Sequence, residues 1–121
     1  MLSSMSPTIL VKFGEPLLIT GSPGGCSIIS TTLLTIIAAV DFGHDAQECV
    51  DLPRFHHQWL PDCVVVERGG FSVATMDALK SMGHGLNEAD VQGCAALILR
   101  NGYWDGGADV LRWADSAAVW E

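Results

Sequence analysis

From Thr8 the chain carries two short apolar runs, Thr8–Phe13 and Leu17–Thr20, divided by Gly14, Glu15 and Pro16. Runs of this length, rich in β-branched residues and bounded by turn formers, predict a hairpin with those three residues as its turn. Gly21-Ser22-Pro23-Gly24-Gly25 follows as a tight, glycine-rich connection. The next stretch, Ser27–Phe42, is apolar almost throughout. Its β-branched residues suit a strand, but it is too long for one buried strand, so a core helix ended by Gly43 is predicted. Asp45 is placed to cap a second, shorter helix through about Val50, with Pro53 stopping it.

The pattern then loosens. Pro53–Pro61 is aromatic and histidine-rich and reads as irregular. Cys63–Glu67 reads as a strand, Ser72 caps a helix over Val73–Met82 that Gly83 stops, and Ala95–Arg100 reads as a buried strand. Asn101-Gly102 signals a hairpin into a strand around Tyr103–Trp104. Beyond Gly106-Gly107 the pattern weakens. No internal repeat is visible, and the order of elements is mixed α+β rather than regular βαβ.

Composition narrows the function classes. Nearly half of the 121 residues are hydrophobic (49%) and 17% are charged, which argues against disorder. The excess of apolar residues points to surface meant for a partner. Net charge is −8, and the six basic residues are scattered rather than striped, so nucleic-acid binding is not expected. The most apolar stretch, Ile28–Val40, is shorter than the ~20 residues that cross a bilayer, and no basic leader precedes it, so neither a membrane segment nor a signal peptide is read. Cys26, Cys49, Cys63 and Cys94 are widely spaced without a C-x-x-C pair. Free thiols are expected, and no zinc site.

Three segments carry candidate chemistry. In Leu2-Ser3-Ser4-Met5-Ser6-Pro7-Thr8, the adjacent hydroxyls of Ser3 and Ser4 can donate to a carboxylate or cap local backbone. In the second, Gly24 and Gly25 lead into a helix. Glycine lets backbone N–H groups come close to a ligand, and a helix start leaves donors free with partial positive charge. That combination binds anions or a tetrahedral oxyanion, and it also describes a plain strand-to-helix turn. The third, Pro53-Arg54-Phe55-His56-His57-Gln58-Trp59-Leu60-Pro61, tempts a metal reading. Neighbours on a strand point to opposite faces and no third ligand has matching spacing, so hydrogen-bonded, packed histidines are expected and no metal or other cofactor. No Ser-His-Asp arrangement can be established from order along a chain.

In this order and spacing, L-S-S-M-S-P-T, I-T-G-S-P-G-G and P-R-F-H-H-Q-W-L-P resemble the γ-glutamyltransferase (glutathione hydrolase) family. The resemblance runs from Leu2 to about Val66 and continues more loosely through Met76–Met82. It implies a four-layer αββα N-terminal-nucleophile hydrolase fold, of which residues 1–121 form a single partial domain, the C-terminal portion of the small, catalytic subunit. It also implies an acyltransferase of glutathione metabolism. An N-terminal threonine, freed by self-cleavage of a precursor, attacks the γ-glutamyl amide of a donor such as glutathione, and the acyl group passes to water or to an amino-acid or peptide acceptor. Ser3 and Ser4 match the serine pair that binds the donor's α-carboxylate. Gly24 and Gly25 match the pair whose backbone N–H groups form the oxyanion hole. By family, a periplasmic or extracellular setting is implied.

The departures shape the expected function. The family's nucleophile lies upstream of the serine pair, where only Met1 and Leu2 stand, so a truncated fragment, inactive alone, is expected. Its partner would be the remainder of the enzyme or another copy of itself. Cys26 follows the glycine pair where serine is common. The tail diverges from about residue 107: a family Asp-Pro-Arg corresponds here to Asp109-Val110-Leu111-Arg112. The alternative is a non-catalytic oligomerising module derived from this fold, with Trp104, Trp113 and Trp120 as interface anchors. A cephalosporin-acylase-like amidase is disfavoured, because the Ser3-Ser4 pair suits a glutamyl carboxylate.

Overall fold

The computed structural model describes residues 5–90, 92–113 and 117. Its strands are β1 (Thr8–Lys12), β2 (Glu15–Gly21), β3 (Phe55–His56), β4 (Val64–Glu67), β5 (Leu86–Ala89), β6 (Ala96–Arg100) and β7 (Trp104–Ala108). Its helices are α1 (Ile28–Val40), α2 (Ala46–Asp51) and α3 (Val73–Ser81), with a 3-10 turn over Gly25–Ser27 ahead of α1. The strands form a four-stranded antiparallel sheet ordered β1-β2-β6-β7 and a three-stranded sheet ordered β3-β4-β5.

The first hairpin turns at Phe13-Gly14, one residue earlier than the sequence predicts, and β2 takes in Glu15 and Pro16. Phe13 (φ 53°) and Gly14 (φ 85°) both have positive φ, the backbone of a two-residue turn whose twist matches its strands. Pro16 fits because β6 pairs only with Leu18–Gly21, so no ladder bond on that side needs its missing N–H.

Alternation along β2 and β6 sends Leu18, Thr20, Leu97 and Leu99 to one face, where α1 and α2 cover them. Leu18, Ala38, Ala46, Cys49, Val50, Ala95, Leu97 and Leu99 make up this core. Burial and the nearby carboxylates of Asp45 and Glu48 push the Cys49 thiol up from 9.0 to about 11. The threonines of α1 are buried: Thr35 Oγ1 donates to the Thr32 carbonyl (2.8 Å) and meets Thr20 Oγ1 at 3.3 Å, while Thr32 Oγ1 has no hydrogen-bond partner among the described residues. The Asp45 cap of α2 forms as expected, as a full capping box with Glu48.

Two strands went unpredicted. Phe55–His56 pairs antiparallel with β4, inside the segment read as irregular. Leu86–Ala89 pairs parallel with β4 after the α3 crossover, although Leu-Asn-Glu-Ala has no strand pattern of its own. β7 runs past the expected Tyr103–Trp104 to Ala108. Its glycines hid it from the hydrophobic pattern, but Gly107 is demanded by packing, since a Cβ there would stand 2.1 Å from the Ala46 carbonyl oxygen.

The opposite face of the four-stranded sheet is apolar and uncovered among the described residues. Ile9, Ile19 and Ile98 lie in one row across β1, β2 and β6. A cavity of about 510 Å³ opens there, lined by Met5, Ile19, Gly21, Ala96, Ile98 and Gly106 among others. Among the described residues no helix is long and apolar enough to cross a membrane.

Candidate active site

The glycine-rich connection leaves β2 at Gly21 and reaches α1 through the 3-10 turn. Gly24 (φ 141°) and Gly25 (φ 62°) both occupy backbone regions that favour glycine. A Cβ on Gly25 would meet nothing within 4 Å, whereas one on Gly24 would stand 2.9 Å from the Cα of Gly93. Both glycines are exposed. Their N–H groups have no hydrogen-bond partner among the described residues, while the Gly24 carbonyl accepts from Ser27 Oγ (2.9 Å) and Ser27 N (3.3 Å). Two adjacent N–H donors without a partner among the described residues therefore stand on exposed glycines ahead of α1.

Ser3 and Ser4 lie outside the described residues. The next residue in the chain, Met5, is placed: its carbonyl accepts the Ser22 N–H at 3.0 Å, two residues before Gly24. Cys26 is an exposed thiol in the 3-10 turn.

The histidine pair divides between separate partners. His56 Nδ1 lies 2.7 Å from Ser30 Oγ and its Nε2 lies 3.2 Å from Gln58 Oε1, which ties α1 to β3. His57 Nε2 lies 3.1 Å from Asp62 Oδ1 and its Nδ1 accepts the Trp59 N–H at 3.2 Å. Among the described residues no three His, Cys, Asp or Glu side chains gather as a metal site.

A buried charge cluster behind the glycine turn was not foreseen. Arg54 is 2% exposed and its Nη2 lies 2.7 Å from Asp109 Oδ2. Arg112 donates to both oxygens of Glu67 and, at 3.0 Å, to Asp109 Oδ1. Arg54 Nη1 also donates to the Gln92 carbonyl (2.9 Å), and Asp109 Oδ2 accepts the Ala95 N–H (3.0 Å). Burial, then the neighbouring Arg112 charge, lowers the pKa of Arg54, and Asp109 opposes that shift. Burial also pulls on Arg112, but its bonds to Glu67 and Asp109 win and raise it. An arginine inside an aromatic motif was the one available signal. Its carboxylate partners, Glu67 and Asp109, lie 13 or more residues away and follow no short pattern.

The sequence profile described as Gamma-glutamyltranspeptidase matches residues 1–119. The chain belongs to the γ-glutamyltranspeptidase family. The family's glutathione hydrolase proenzyme from Escherichia coli (strain K12) is 46% identical over 98 residues, covering 81% of this chain and 17% of that protein. Among solved γ-glutamyltranspeptidases, that of Pseudomonas nitroreducens complexed with L-DON superposes with a TM-score of 0.87 at 30% identity, covering 100% of this chain and 64% of that one. A Helicobacter pylori γ-glutamyltranspeptidase variant gives 0.84 at 38% identity, covering 89% and 61%. The α+β class and the N-terminal-nucleophile hydrolase architecture expected from the γ-glutamyltranspeptidase resemblance are therefore those of the molecule. The chain spans less than a fifth of the length of the curated γ-glutamyltranspeptidase relatives it matches.

Proposed function

We propose that these residues are the C-terminal portion of the small subunit of a γ-glutamyltransferase acting on glutathione or a related donor, and that they are inactive without the remainder of the enzyme. In this reading the tail from about residue 107 is a local departure from the family. The remainder supplies the threonine nucleophile, whose α-amine serves as the local base. Its hydroxyl attacks the γ-glutamyl carbonyl, and the N–H groups of Gly24 and Gly25 donate to the oxyanion that forms. Donors of this kind contribute roughly 3–4 kcal/mol each to the transition state. Ser3 and Ser4 hold the donor's α-carboxylate. Collapse of the intermediate expels the amine, and water or an amino-acid or peptide acceptor takes the acyl group.

One observation carries the reading. In a chain of this family, two adjacent exposed glycines, their N–H groups without a partner among the described residues, stand ahead of a core helix. The Met5–Ser22 bond supports it, because the residue after the serine pair is anchored beside the glycine turn. The uncovered Ile9–Ile19–Ile98 row supports a partner, since a face this apolar needs cover.

Release of the chromophore from a γ-glutamyl anilide tests this. No turnover is expected from these residues alone at any concentration. Turnover is expected when the remainder is supplied, and it should fall when Gly25 is replaced by a bulky residue. Turnover by the isolated residues would sink the fragment reading. The uncovered apolar face also favours the oligomerising module, and concentration-dependent self-association with no activity in the completed protein would select it.

A further inference from the structure

We propose that Gly93 is a positioning residue for the Gly24–Gly25 donors, an inference that rests on the oxyanion reading above. The glycine turn is exposed, so something beneath it must set the direction of its N–H groups. That support is the backbone of Gly93. A Cβ on Gly24 would stand 2.9 Å from the Gly93 Cα, which makes the contact one of backbone against backbone. Gly93 has φ 71°, and a Cβ there would stand 2.7 Å from Thr31 Oγ1, 2.9 Å from Ser22 Oγ and 3.3 Å from the Pro23 carbonyl oxygen. It is half-buried between the turn on one side and α1 on the other, and a side chain there would crowd both.

Both flanks of Gly93 are anchored. The Gln92 carbonyl accepts from Arg54 Nη1 at 2.9 Å, and Gln92 Nε2 donates to the Val65 carbonyl at 3.0 Å. The Cys94 N–H donates to Ser22 Oγ at 3.0 Å, and Ser22 Oγ in turn donates to the Pro23 carbonyl at 2.6 Å. Segment 92–94 thus fixes the glycine turn to β4 and to the buried charge cluster. A side chain at position 93 crowds the Thr31 and Ser22 hydroxyls and the Pro23 carbonyl, and with Gln92 anchored the displacement passes to the turn and its Gly24 and Gly25 N–H groups. Those donors act on charge that develops in the transition state, so their displacement lowers kcat and leaves donor binding in place.

The test compares Gly93→Ala with Gly83→Ala in the isotope-labelled full chain. Gly83 has a similar positive φ (95°), but a Cβ there meets nothing, so it reproduces the backbone strain without the contact. The amide resonances of Gly24 and Gly25 should move in Gly93→Ala and stay in Gly83→Ala. Adding Thr31→Ala removes the nearest obstacle and should return them part of the way, which also covers a Gly93→Ala chain too strained to fold. In the completed enzyme kcat should fall about a hundredfold, as for a misplacement near 1 Å, with KM held. Unmoved glycine amides in Gly93→Ala would overturn the proposal. Amides that move while kcat is unchanged would confirm the packing relation and overturn the oxyanion assignment instead.

Discussion

The two faces of the four-stranded sheet are built from neighbouring residues and meet opposite fates. Leu18 and Leu97 are 0% and 2% exposed beneath α1 and α2, while Ile19 and Ile98, one residue along each strand, are 37% and 41% exposed. The alternation that makes a strand amphipathic elsewhere here makes both faces apolar. A sheet apolar on both faces suits the middle of a layered fold, and the described helices cover one face only. The difference shows how a chain can have a packed core and side-chain caps on α2 and α3 and still present a surface meant for something else.

The sharpest way to break that contrast is to open the closed side from its edge. Asp109→Ala removes the partner of a fully enclosed arginine and frees one arm of Arg112. A loss of about 3–5 kcal/mol is expected, because an unpaired buried charge remains. Urea unfolding measures it, and a loss below 1 kcal/mol would mean the cluster is solvated. Next in size is Leu97→Ala, which leaves a cavity under α1 and α2 and should cost roughly 2–5 kcal/mol in the same assay. Its neighbour supplies the smallest effect. Ile98→Ala should change the stability of the isolated chain by no more than about 0.5 kcal/mol, as for ordinary surface positions, yet weaken association with the remainder of the enzyme. Equal costs at positions 97 and 98 would show that the outer face is already covered within the chain.

Part of this was legible beforehand. The helix caps at Asp45 and Ser72 were readable because capping chemistry is local, a side-chain oxygen meeting N–H groups three residues on. The length of the apolar run over α1 outweighed its β-branched content. The glycine pair could be singled out because positive φ is a demand on residue type. The first turn was misplaced by one residue because Gly14-Glu15-Pro16 punctuates more strongly than Phe13-Gly14. β5 was missed because its strand character comes from the edge of β4 and not from Leu-Asn-Glu-Ala itself.

Sequence alone determined the family, the α+β class and the core helices, and it singled out the two glycines, since each rests on local chemistry or on ordered motifs. Only the tertiary structure decided that Gly93 backs the glycine turn, that Arg54, Glu67, Asp109 and Arg112 form one buried cluster, and that the Ile9–Ile19–Ile98 face is left uncovered by the described helices. The reason is separation along the chain. Gly24 meets Gly93 and Arg54 meets Asp109 from distant parts of the chain, and no spacing rule connects residues brought together by strand pairing.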